Sequence, residues 1–394
     1  MSETGAQTAA TAPTPALRGP AKLPAWADYG LIPLLNVSAA FLVAGLVVLF
    51  IGENPLRAVQ VLAYGALGYG EGVGFTLYYA TNFILTGLAV AVAFHAALFN
   101  IGGEGQAYVG GLGVAVVALA LDRVLPWYLL FPLAIAGAAL FGAAWAFLPA
   151  WLQARFGSHI VITTIMFNFI AASLMVWLLI GPLKPAASQQ PETRTFEAGA
   201  SLPHLDGLFA LFGADLGAAP LNLTLFVALA AAVFVYALVW RTRLGYEIRT
   251  VGHNPTAALY AGISVTRITI VTMLISGALA GLMSLNSVIG AQQRLNLDFV
   301  GGAGFVGIAV ALMGRAHPVG IILAALLFGM LYQGGAELAF EMPSITRDMI
   351  VVIQGLVILF AGALEHMFRA PLTRSFALMS TPQRRRMVDV KEGA

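Results

Sequence analysis

Cysteine is absent from this sequence. Disulfides, thiol nucleophiles and cysteine-ligated metals or iron–sulfur clusters are therefore excluded, although the redox compartment cannot be read from an absence. Charge is also scarce. Only 10% of the residues are Asp, Glu, Lys or Arg, while 59% are hydrophobic; soluble domains carry about 25% charged residues. No aqueous fold covers its surface with so few charges, so lipid is the solvent for most of the chain. A nucleotide cradle is missing too, because no G-x-x-x-x-G-K-[ST] stretch occurs. Paired carboxylates, a His/Glu metal motif and a Ser/His set at motif spacing are likewise absent. No catalytic residue and no metal ligand can be named on that basis.

What is present is a series of charge-free apolar windows. They fall at about 29–52, 75–98, 106–121, 124–154, 160–183, 216–240, 268–293, 299–314, 316–336 and 349–364. A helix crosses about 30 Å of hydrocarbon with roughly 20 residues. The stretch 299–336 would be about 57 Å long as one helix, and Arg315, His317 and Pro318 interrupt it, so it divides into two spans. The expected fold is an all-α integral membrane protein of about ten transmembrane helices. Residues 1–28 lack the basic start, short apolar core and cleavage site of a signal peptide. They are expected to form a disordered cytoplasmic tail ahead of a membrane domain over 29–368, with a basic cytoplasmic tail over 369–394.

The positive-inside rule orients the spans. With both termini inside, Arg241, Arg243, Arg249, Arg267 and the run Arg384–Arg386 fall on the inner side. Arg57, Arg123, Lys184, Arg194, Arg294 and Arg347 fall outside. The polar stretch 184–215 is then outside and the loop 241–267 inside. Arg384–Arg386 reads as a topology anchor touching anionic lipid, not as a nucleic-acid site. The same count reveals a repeat. Spans two to five overlay on seven to ten, and GGEGQAYVGGLGVAVVAL from Gly102 matches GGAGFVGIAVALMG from Gly301. Span two runs inward and span seven outward, so the halves are inverted, a common plan in transporters.

Two segments carry the chemistry. In Phe99–Gln106, three glycines in four positions break the helix, and Glu104 is the only acidic residue between Glu71 and Asp122. One reading is a broken helix whose backbone, with Phe99, Asn100 and Gln106, shapes a solute pathway. The other is a tight turn with Glu104 capping a helix start. The second segment, 241–267, contains Asn254–Pro255, a helix start, and Gly262, a helix stop. A preceding short segment surrounds Tyr246 and Arg249. Such helices suit docking by a cytosolic partner. A loop held to anionic lipid by Arg241, Arg243 and Arg249 is the alternative.

The stretches FNIGGEGQ at 99–106, GYEIRTVGHNPTAALYAGI at 245–263 and GAGFVGIAVALMGRAHPVGIILAALLFG at 302–329 resemble the permeases of bacterial nucleoside and simple-sugar ABC importers. These lie within the ribose and branched-chain amino-acid permease superfamily. The likeness runs over roughly 30–368, with His253 where the family pattern is expected to hold Glu. It implies a type II ABC importer permease of the larger, EGQ-bearing kind, in the bacterial inner membrane. It also implies a second, non-identical permease subunit, a cytosolic ABC ATPase holding ATP–Mg, and a periplasmic or lipid-anchored solute-binding protein. The loop 241–267 becomes the coupling loop, with Tyr246, Arg249, Gly252, Asn254, Ala258 and Gly262 as its contact residues.

Polar residues within the spans complete the candidate pathway: Asn82, Asn168 and Asn286 join Phe99, Asn100, Glu104 and Gln106. Amides and aromatic faces suit a neutral, hydroxyl-rich solute. Interhelical hydrogen bonding is the plainer role for each Asn, and packing the plainer role for His95. Gly277 and Gly281 read as helix packing. An ion-coupled secondary transporter would need more in-span carboxylates or histidines than Glu104 alone.

Overall fold

The computed structural model describes residues 31–186, 188–211, 213, 215–346 and 349–356, with isolated positions 24, 26, 27, 359, 372 and 373. Most of the two tails, with Arg18, Lys22, Arg384, Arg385 and Arg386, lies outside the described residues, as do Arg347 and most of 357–364. The chain divides into two units, 1–40 with 359–394, and 41–358. In the first, the main described feature is the opening of α1. Apart from the start of α1, everything below belongs to the second.

The helices are α1 (Ile32–Phe50), α2 (Pro55–Leu67), α3 (Gly70–His95), α4 (Gly103–Leu121), α5 (Trp127–Phe156), α6 (Ile160–Ile180), the short α7 (Asp206–Ala210) and α8 (Thr224–Arg241). Then come α9 (Arg243–His253), α10 (Pro255–Tyr260), α11 (Val265–Leu285), α12 (Ala303–Met313) and α13 (Pro318–Glu341). A π-helical segment, Asn286–Ala291, extends α11. Local chemistry sets several ends. Asn54 caps α2 ahead of Pro55, Ser264 caps α11, and Gly157 closes α5 at a φ of 67°.

Among the described residues, seven helices are long and apolar enough to cross a membrane: α3, α4, α5, α6, α8, α11 with its π segment, and α13. An eighth arises if Leu34–Phe50 and Pro55–Leu67 count as one bent span. Ten are not reached among the described residues. The window 299–314 explains part of the shortfall. Its helix α12 has 11 residues, about 17 Å, and cannot cross alone. The chain before it is irregular, with positive φ at Gln293, Asp298, Gly301 and Gly302. The chain around α12 nevertheless runs between the two ends of α3. Leu295 O accepts from Thr193 N (2.9 Å) in the polar segment, while Ala316 O lies 3.1 Å from His95 Nε2. The start of α3 abuts Asp215 and its last residue abuts Gly252. At 26 residues, or about 39 Å, α3 therefore holds segments 184–215 and 241–267 at opposite ends.

The inverted repeat is visible in the packing. α3 packs on α12 and α13, and α11 packs on α4 and α5. Exchanging α3 with α11, α4 with α12 and α5 with α13 turns one set of contacts into the other. Gly277 and Gly281 act as their sequence suggests: they lie against Gly142 and Ala138 of α5, where no Cβ would fit. The core of the bundle is built on α3, where Phe83, Leu85 and Leu88 are buried.

Candidate functional site

At the centre of the bundle, α4 and α12 meet N-terminus to N-terminus. A Cβ at Gly304 would collide with the backbone nitrogen of Glu104, and one at Gly103 would sit 3.5 Å from Gly304 O. The Glu104 carboxylate spans the junction. Gly302 N donates to its Oε1 (3.0 Å) and Gly304 N to its Oε2 (2.8 Å). These are among the backbone donors a helix leaves unpaired at its start. Glu104 thus caps the opposing helix while sitting in the first turn of its own, where both helix dipoles favour negative charge. It is buried, and its place at membrane depth follows from these donors.

Around this junction lies an amide network. Asn100 Nδ2 donates to Gln106 Oε1 and to Ser276 Oγ, both at 2.9 Å. Asn100 Oδ1 accepts from Gly102 N (2.9 Å) and Gln106 Nε2 (3.2 Å). Ser276 Oγ donates onward to Ala89 O, at 2.6 Å. From α6, Asn168 reaches the same break: Gly105 N donates to its Oδ1, and its Nδ2 donates to Ile101 O, both at 2.9 Å. The network holds the non-helical residues between α3 and α4 in one shape. Phe99 packs edge-on against Phe94, centroids 6.3 Å apart.

Asn82 and Asn286 form a separate node with Asn222. Asn286 Nδ2 donates to Asn82 Oδ1 (2.8 Å) and Tyr78 O (3.0 Å). Asn222 Nδ2 donates to Asn286 Oδ1 at 2.9 Å. Asn286 opens the π-helical segment, so this node fixes the point where α11 loosens. The structure therefore separates the predicted pathway residues into two groups. Sequence reasoning missed Ser276, Asn222 and Asp298. Asn222 had a visible signal, two residues before the start of α8, where it caps Thr224 N at 3.0 Å. Among the described residues, no three His, Cys, Asp or Glu gather as metal ligands.

The loop 241–267 folds into α9 and α10. Thr242 Oγ1 caps α9 through Gly245 N (3.0 Å), and Asn254 Oδ1 caps α10 through Ala257 N (3.0 Å). Gly262 ends α10 at a φ of 75°. Ile248, Val251 and Ala258 are buried in a cluster with Ala93 at the end of α3, Ala96 and Leu98 just after it, and Ile268 and Met273 of α11. Gly252 touches the His95 carbonyl with no room for a Cβ. The loop is thus seated on the bundle, not spread along its rim. The opposite face exposes Tyr246, Leu259 and Tyr260, the last 91% exposed. Arg249 lies between, half-buried, and its Nε has no hydrogen-bond partner among the described residues. Of the predicted coupling residues, Tyr246 faces outward, whereas Gly252, Asn254, Ala258 and Gly262 build the framework.

At the other end of α3, the polar segment forms a strap. Arg194 donates to both oxygens of buried Asp122 (2.7 and 2.8 Å), and Glu197 N donates to Asp122 Oδ2 at 2.9 Å. Phe196 N donates to Gln293 O (2.7 Å), and Arg294 pairs with Glu192 at 2.9 Å. The strap joins the end of α4 to the chain after α11. The Arg194 guanidinium holds the Asp122 carboxyl below its usual value. A depressed carboxyl stabilises the fold above its unfolded pKa, about 3.9, and loses that contribution as pH falls through the lower folded value. Protease cleavage within 186–211 should therefore be unchanged between neutral and mildly acidic pH. Asp122→Asn should speed cleavage about tenfold at neutral and mildly acidic pH, from a loss of about 1–2 kcal/mol. Limited proteolysis at a series of pH values checks both outcomes.

Residues 72–362 match the family described as "Branched-chain amino acid transport system / permease component". The chain is 37% identical over 340 residues to the glucose ABC transporter permease protein TsgB13 of Haloferax volcanii, covering 86% of this chain and 88% of the relative. It is 37% identical over 338 residues to the guanosine ABC transporter permease protein NupP of Bacillus subtilis, covering 84% and 93%. A second guanosine permease protein of that organism, NupQ, is 28% identical over 265 residues, covering 64% and 78%.

Proposed function

Because the chain belongs to the branched-chain amino acid transport system permease family, we propose that it carries a neutral nucleoside or simple sugar across the bacterial inner membrane. It is a permease subunit of an ABC importer, within a multi-component assembly. ATP–Mg is bound and hydrolysed on a separate cytosolic ATPase. That subunit grips Tyr246, Leu259 and Tyr260 on the cytoplasmic face, and both termini lie on the same side. A periplasmic or lipid-anchored binding protein delivers solute to the strap side. A second, non-identical permease completes the passage, as the pair NupP and NupQ suggests. Anionic lipid contacts Arg241, Arg243 and Arg267 at the inner rim.

The observation that carries this reading is mechanical continuity. α9 rests on the last carbonyl of α3 through Gly252. Five and nine residues further along the chain, Asn100 and Glu104 hold the junction of the two inverted halves. Movement of the docking face therefore reaches that junction through the short non-helical segment 96–102, which the Asn100 network holds in one shape. The amides of Asn82, Asn100, Asn168 and Asn286 and the scarcity of in-span charge fit a neutral solute.

Arg249→Glu and Ala258→Pro should each lower uptake at least about tenfold, while the chain still inserts and the ATPase still hydrolyses ATP. Uptake of labelled nucleosides and sugars by the reconstituted importer measures this, and normal uptake by both variants would contradict the coupling assignment. Uptake that persists without the ATPase and collapses with an ion gradient would instead indicate a secondary transporter. Glu104, with both oxygens engaged by Gly302 and Gly304, is poorly placed to carry that ion.

A further inference from the structure

One carboxylate near the junction is not consumed by the fold. Asp298 is the only acidic residue between Glu247 and Glu337, and it is exposed. Tyr108 Oη donates to its Oδ1 at 3.3 Å. Tyr108 lies one turn beyond Glu104 on α4. About 20 Å of helix separates it from Leu121 at the strap end, and α12 extends about 17 Å the other way. Asp298 therefore lies on the strap side of the junction: Asn296, two residues before it, bridges Glu192 of the strap. A carboxylate is not stable against hydrocarbon, so its exposure means that it faces water at the strap-side mouth of the bundle.

Its presentation is built. Phe299 is buried, packs edge-on against Tyr108 with centroids 5.4 Å apart, and fills the space where Gly111 has no side chain. That anchor fixes the neighbouring residue. Asp298 itself adopts a φ of 61°, a conformation an L-residue holds at a cost of about 1 kcal/mol or more. Glycine would relieve the strain, yet a carboxylate occupies the position. Phe305, seven residues further on in the first turn of α12, is half-exposed.

We propose that Asp298, with Tyr108, binds the vicinal hydroxyls of the transported solute. This inference rests on the nucleoside or sugar reading above and narrows it to solutes that carry a diol. A carboxylate accepts two hydroxyl donors side by side, and the Tyr108 oxygen keeps free lone pairs for a third. Glu104, turned toward α12, has no such freedom.

The natural absence of cysteine gives a direct test. Phe305→Cys, assembled with the other importer subunits, is treated with a water-soluble maleimide. A ribonucleoside should slow labelling about tenfold, and its 2′,3′-dideoxy analogue should not. Asp298→Asn in the same background should abolish the protection while the unprotected chain still labels. Absence of labelling, equal protection by both nucleosides, or protection that survives Asp298→Asn would overturn the proposal. An importer that takes up neither nucleoside nor sugar would overturn the solute reading as well. Normal uptake with unaltered protection would remove the Asp298 assignment alone.

Discussion

Gly252→Ala is expected to cut uptake by about tenfold or more while leaving membrane insertion intact. The new methyl group would overlap the His95 carbonyl oxygen and crowd the carbons of His95 and Ala96. These are backbone atoms at the end of a packed helix, so they cannot turn aside as a side chain would. Overpacking of this kind costs about 1–3 kcal/mol. α9 is the element that can move, and moving it lifts the docking face off α3. ATP should then be spent without transport. Gly262→Ala supplies the contrast: its φ is 75°, but nothing lies within 4 Å of the added carbon. That change strains only the turn after α10 and should cost about 1 kcal/mol. The ratio of solute imported to ATP hydrolysed separates the two. Equal ratios for both variants would show that the Gly252 contact transmits nothing.

Glu104→Ala should impair transport more than Asn168→Ala. Removing Glu104 leaves the amides of Gly302 and Gly304 without acceptors. Each buried unpaired donor costs about 1–3 kcal/mol. Removing Asn168 leaves one amide, Gly105, and one carbonyl, Ile101, and an unpaired carbonyl is the more readily tolerated group. Glu104→Gln keeps one acceptor and should fall between. Thermal unfolding in detergent, measured beside uptake, gives the order wild type, Gln, Ala. Near-normal uptake in Glu104→Ala and Asn168→Ala alike would mean that the junction of α4 and α12 is not part of the transport cycle.

The apolar runs were legible because lipid forces them to be long and free of charge. α2 left no such signal, since Arg57 and Gln60 give it a polar face. The window at 299–314 looked like a span because its composition is apolar. Its helix is short because Gly301 and Gly302 turn the chain at positive φ just before it. The loop at 241–267 could be read closely, because Asn254, Pro255 and Gly262 act on their own neighbours. The partner of Glu104 could not. Gly302 and Gly304 lie about two hundred residues away, and only the weak match between GGEGQ and GGAGF hinted that the two breaks face one another. Asn82 and Asn286 were both named from the sequence, but their mutual hydrogen bond depends on how α3 crosses α11. Asp298 carried a signal of the kind used for Glu104, an isolated acid in an apolar half. It lay between two windows and so escaped notice.

In the proposed mechanism an external motor grips α9 and α10 from the cytoplasm. Tyr260 is nearly fully exposed, and a Tyr260→Cys chain would carry the sole thiol. A membrane-impermeant maleimide should label it in inside-out vesicles and not in right-side-out vesicles, and adding the ATPase subunit should protect it. Labelling from the outside, or labelling indifferent to the ATPase, would contradict the account.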